Sequence, residues 1–293
     1  MSLQTSALLI TLRLNSFAPK RKDKRITAEV LRKHAVLDKD LGAWSTTLLP
    51  AHATDPIAAI NSKIRKFHTA HTLTWDREGT GLLPGVKYFD YAQEMGKLKA
   101  EWQSKVDTFV DNYPSYLAEA KITLNGLFNP DLYPAADRVR EKFAFRLDPE
   151  PIPDTGDFRV SMSQSERAAL QAGLEEKLKE ATLIAQRDLL NRVAEPITRL
   201  VSRLANPNGT VREPLLESLD RVLRDVSAYN VTNDPAIESL KREIQQQLTT
   251  YTADQLTHDP ILRSSAADKA QAILEKMAAW GQYERRTHHR QAV

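Results

Sequence analysis

Lys20, Arg21, Lys22, Lys24 and Arg25 place five basic side chains within six positions of "NSFAPKRKDKR", interrupted only by Asp23. Cations at this density can contact several phosphates and release their counterions. The run is too short and too punctuated, by Pro19 and Asp23, to be a helix face, so it reads as a turn. The other chemistry-bearing residues are sparser. His68 and His71 sit at metal-ligand spacing for a helix, near Asp76 and Glu78, but a helix end and a polar loop are the preferred explanation. Glu175/Glu176 and Asp154/Asp157 have no geometry that separates them from solvated surface. The chain has no Gly-x4-Gly-Lys loop, Gly-x-Ser-x-Gly elbow or His-Glu-x-x-His pair. No catalytic residue, metal site or cofactor is assigned. Of the four tryptophans, Trp102 belongs to an apolar stripe, and Trp75 reads as core or loop anchor before base-stacking platform.

Composition narrows the classes further. With 41 Lys plus Arg against 38 Asp plus Glu, the net charge of 293 residues is +3, too weak to make the whole surface attract polyanions. A nucleic-acid site is therefore a local patch. The absence of cysteine excludes disulfides and thiolate chemistry. The N-terminal "MSLQTSALLITLRLNSF" lacks the basic start of a signal peptide, and no apolar run reaches the ~20 residues that span a bilayer. The expectation is a cytoplasmic protein.

The elements that must carry these residues are mostly helices. "ALLITLRL" (7–14) reads as a strand, and Thr27 opens a short helix. Ile57, Ile60, Ile64 and Phe67 follow a helical period, with Asp55 as N-cap and Pro56 at the first position. "DREGTGLLPG" reads as a loop. Tyr88, Tyr91, Met95, Leu98, Trp102, Val106, Phe109 and Tyr113 line one long amphipathic helix, predicted to end at Pro114, with a break and a second short helix as the alternatives there. Short strand is expected at 143–147 or 157–161. Ser163 and Glu166 have capping-box spacing. After them Leu170, Leu174, Leu178, Ala181, Ala185, Leu189, Val193, Ile197, Leu200 and Leu204 continue a stripe through Pro196. Leu170, Leu174, Leu178, Leu189, Val193 and Ile197 are its candidate interface positions. Helices at 212–227, 235–250 and 260–283 follow, two of them opened by Asp-Pro pairs.

The predicted fold is mainly α. A mixed α/β N-terminal part (1–147) precedes a Pro-rich hinge (148–160). An elongated helical bundle or coiled-coil-like part (161–283) and a basic tail (284–293) complete it.

The order of "LITLRLNSFAPKRKDKRIT", "FHTAHTLTWDREGTGLLP", "YPSYLAEAKITLNGLFNPDLYP" and "IPDTGDFRV" ahead of a long charged helix carries a resemblance. Over roughly residues 5–280 the chain resembles a family of bacteriophage and mobile-element proteins classed as a domain of unknown function. Members are often encoded near MoxR-type AAA+ ATPases and von Willebrand A-domain proteins. The resemblance implies an accessory role in DNA metabolism and supplies no catalytic residues. Two functions are thus expected. One is a non-enzymatic protein associated with single- or double-stranded DNA through 20–25. The other is an adaptor or homo-oligomeric scaffold for an AAA+ ATPase.

Overall fold

A computed structural model describes residues 3–37, 40, 42–76, 79–154, 163–206 and 209–291, with side chains up to 279. The elements run α1 (Leu3–Ser6), β1 (Ala7–Asn15), β2 (Lys20–Lys22), α2 (Lys24–Lys33), β3 (Ser45–Thr47), α3 (Ala51–His71), β4 (Leu73–Thr74), β5 (Thr80–Pro84) and α4 (Tyr88–Leu124). Then come β6 (Ala144–Pro151), α5 (Gln164–Ala205), α6 (Glu213–Tyr229), α7 (Pro235–Leu248), α8 (Ala253–His258) and α9 (Pro260–Gln291). The fold is mainly α with a small mixed part. A four-stranded sheet has the order β4-β5-β1-β6, and β2 and β3 form a separate ribbon.

Two compact units divide the chain. The first comprises Met1–Ile10, His71–Tyr88 and Pro149–Val293; the second comprises Thr11–Ala70 and Phe89–Asp148. The expected contiguous division is corrected here. A boundary does fall at 148/149, but the ends of the 1–147 part and its 71–88 stretch belong with the C-terminal helices. The reason is burial: Ala7, Leu9, Leu73, Trp75 and Leu82 share one core cluster with Leu189, Val193, Ile197, Leu219, Ile244 and Ile273. Residues 155–160 of the expected hinge, the alternative strand at 157–161 and the side chains of the 284–293 tail lie outside the described residues.

In the first unit α5 packs against α6 and α9, α7 against α6 and α9, and α8 against α9. α5 starts as its sequence dictates, with the Ser163 hydroxyl accepting from the Glu166 N–H and the Glu166 carboxylate accepting from the Ser163 N–H. Asp234 likewise caps α7 ahead of Pro235, and Asp259 accepts from the first amides of α9. The far end of α5 is closed by a buried cation. Arg263, 9% exposed, donates to the carbonyls of Leu204 at 3.0 Å, Leu256 at 2.9 Å and Asn206 at 2.6 Å, and also to that of Arg203. A guanidinium here satisfies carbonyls that a helix end leaves orphaned and opposes the negative end of its dipole. Gly209 completes this node: a Cβ there would lie 2.4 Å from the Arg203 carbonyl oxygen.

In the second unit α3 and α4 run antiparallel. His52 meets Glu119 and Tyr116, the Asn61 amide oxygen accepts from the Trp102 indole at 2.9 Å, and His68 meets Tyr91. The predicted α4 stripe is buried from Tyr91 to Tyr113, but two helix ends differ from expectation. α4 continues through Pro114 to Leu124, and α3 begins at Ala51, so Asp55 is not its cap and Pro56 lies inside it. Each proline removes one ladder bond. Packing on both sides outweighs that loss: Ala53 and Ile57 flank Pro56 in the core, and Tyr113 and Ala120 flank Pro114. The expected loop around "TGLLP" is also corrected. It is β5, with Leu82 and Leu83 fully buried. Gly81 pairs with Thr74, and a Cβ on it would strike the Thr72 side chain at 2.3 Å, so the strand requires glycine there.

Candidate functional site

The basic run is not a turn. Lys20, Arg21 and Lys22 form β2 and pair with Thr47, Thr46 and Ser45 of β3, while Lys24 and Arg25 open α2. Asp23 decides this arrangement. It is fully buried and caps α2, its Oδ1 accepting from Arg25 N–H at 2.9 Å and Ile26 N–H at 3.2 Å. Strand alternation sets Lys20 and Lys22 on one side of the ribbon and Arg21 on the other. Arg21 lies in the field of Tyr113, whose hydroxyl is pushed up to about 12 mainly by burial.

All five cations are exposed. Among the described residues none forms an ion pair; Arg25 donates to the Gly126 carbonyl at 3.4 Å. Lys24 and Arg25 occupy the positive end of a helix, where cations are locally unfavourable. The acid that separates the cations in sequence is withdrawn from the surface, so no exposed acid lies between Lys22 and Lys24.

Trp44 joins this basic run. The Asp23 N–H donates to the Trp44 carbonyl at 2.9 Å, and the Trp44 N–H donates to the Thr27 hydroxyl at 2.9 Å. That hydroxyl in turn donates to the Asp23 carbonyl at 2.7 Å. The backbone of Trp44 is thereby tied to the first turn of α2, yet the residue is 43% exposed. The residue before it, Ala43, lines a cleft of about 660 Å³ together with Leu31, Val36, Lys22, Lys24, Arg32 and Asp40.

The other candidates take different places. Trp75, weighed as a stacking platform, is core, and so is Trp102. The His68 ring is buried with Nδ1 2.7 Å from the Tyr91 hydroxyl. Burial drives Tyr91 far above the ordinary tyrosine range. Asp76 accepts from the Thr80 N–H and closes the β4–β5 connection; Glu78 and Asp157 lie outside the described residues. No group of three or more metal-ligating side chains occurs among the described residues. Glu175 and Glu176 are exposed.

The interface stripe splits. Leu189, Val193 and Ile197 are buried in the first unit's own core, which removes them as contacts to another chain. Leu178 packs partly on that core, Leu174 is half-buried and Leu170 is 51% exposed. A second cationic cleft, of about 730 Å³, is lined by Arg199, Arg203 and Arg212 with Thr198, Ser202 and Thr210. Arg199 there is paired with Glu195. Its arginines come from both sides of the α5–α6 connection, a proximity that no spacing within one helix announces.

Comparison of the chain with protein-family models, with curated proteins and with solved structures finds no match. No described helix is long and apolar enough to cross a membrane.

Proposed function

We propose that the protein is a non-enzymatic, nucleic-acid-associated accessory protein of a phage or mobile element. It grips backbone phosphates with Lys20, Arg21, Lys22, Lys24 and Arg25. The observation that carries this reading is the treatment of charge. Five exposed cations have no ion-pair partner among the described residues, and the single acid between them is buried as a cap. A merely soluble surface has no reason to concentrate cations at the positive end of a helix, whereas a bound phosphate would offset that cost. The resemblance to mobile-element proteins agrees with a role in DNA metabolism.

The test is fluorescence anisotropy with labelled oligonucleotides across a salt series. Neutralising all five cations with single-strand phosphates predicts a slope near 3.5 logarithmic units per log salt, at about 0.7 per phosphate. Replacing the five together by Ser or Gln flattens that slope with little loss of stability, because exposed charges contribute little to folding. Absence of binding at low salt by the parent protein refutes the reading.

A second reading, adaptor or self-associating scaffold for an AAA+ ATPase, is favoured by one feature. The first turns of α5 carry the exposed Leu170 and the half-buried Leu174 and Leu178. Nuclease-resistant recovery of an ATPase that is lost in Leu170→Asp supports it.

A further inference from the structure

We infer that the bound strand is single and that an unpaired base stacks on Trp44 with its edge in the adjoining cleft. This rests on the nucleic-acid reading above and adds the class of ligand. Trp44 is tied through its backbone to Asp23 and Thr27. Among the described residues the indole meets no other aromatic ring and no cation. A large aromatic 43% exposed, on a backbone fixed at both polar atoms, is an anchored platform. The cleft that begins at the preceding residue, Ala43, is lined by apolar Leu31, Val36 and Ala43 and by basic Lys22, Lys24 and Arg32. One acid, Asp40, also lines it. An unstacked nucleotide has the same division: an apolar base face and an anionic phosphate. Bases inside a duplex are stacked on one another and offer neither face, whereas a single strand offers both. Lys22 contributes to both the phosphate edge and the cleft, so the phosphate and base sites are continuous.

The experiment compares a labelled oligothymidylate with a duplex of equal length, using the full chain. Stacking removed by alanine is worth about 1–3 kcal/mol per base, so Trp44→Ala weakens single-strand binding about 5- to 150-fold. Duplex binding changes less than twofold, and the salt slope is unchanged because no charge is lost. Trp44→Phe keeps a ring and restores most of the affinity. Should Trp44→Ala fold poorly, tryptophan fluorescence of the parent and of Trp44→Phe decides. Oligothymidylate quenches the parent and leaves the still-binding Phe variant nearly unquenched. Equal quenching in both, or a Trp44→Ala protein that binds the single strand as the parent does, overturns the stacking inference while leaving phosphate binding intact. A parent that binds no nucleic acid at low salt removes the earlier reading instead.

Discussion

Replacing Asp23 by Ser and by Ala separates the two roles of that residue. Both substitutions remove one negative charge from between Lys22 and Lys24, and both leave nearly the same space behind. Only serine keeps a side-chain oxygen to accept from the Arg25 and Ile26 amides, which Asp23 now engages at 2.9 and 3.2 Å. The stability difference between the two variants therefore isolates the cap, worth about 1 kcal/mol and at most about 2. For a unit of roughly 120 residues that corresponds to about 4 °C in melting temperature. Denaturant titration followed by far-ultraviolet circular dichroism reads the same difference. Binding separates the variants further. Asp23→Ser binds oligonucleotide at least as tightly as the parent, because a charge that opposes the phosphates has gone. Asp23→Ala binds more weakly than Asp23→Ser at equal charge, because the first turn of α2, which presents Lys24 and Arg25, frays. Equal stability of the two variants refutes the capping argument. Equal binding shows that the order of this turn is irrelevant to the basic run.

Three further outcomes follow from the packing. Ile197→Ala, at a position with 0% exposure, costs about 2–5 kcal/mol in chemical unfolding, whereas Leu170→Ala on the exposed start of the same helix stays within about 0.5 kcal/mol. Arg263→Ala leaves the carbonyls at the end of α5 without their donor and costs about 3 kcal/mol or more, measured by thermal melting. Burial raises Tyr113 and Tyr229 from 10.0 to about 12, so their contribution to stability is complete below pH 10 and is lost as pH rises from 10 through 12. A phenolate absorbance titration, with melts at each pH, checks the window.

Much of the helical architecture was legible because it is encoded locally. Ser163 with Glu166, and Asp234 before Pro235, specify helix starts within four residues. The α4 stripe declares its buried face through period alone. Legibility ended where distant residues decide. Pro114 reads as a stop until the contacts of Tyr116 and Glu119 with His52 are known. "TGLLP" reads as a loop because glycine usually marks freedom, whereas Gly81 is there because Thr72 leaves no room. The candidate site divides the same way. Its cations are visible in one glance at residues 20–25. Neither the burial of Asp23 nor the arrival of Trp44 could be read, since both depend on β2 pairing with a strand more than twenty residues away.

The discontinuous first unit has a consequence for biosynthesis. Ala7 and Leu9 are buried in the same cluster as Ile273 and Met277. At about 5–20 residues per second, the intervening stretch takes the ribosome roughly 13–50 s to make. Throughout that interval the cluster lacks its last helix, and only synthesis past Met277 can close it. Nascent-chain lengths stalled before α9 should therefore expose β1 to chaperones and proteases. A truncation within α9 would be felt at β1, which would lose part of its cover.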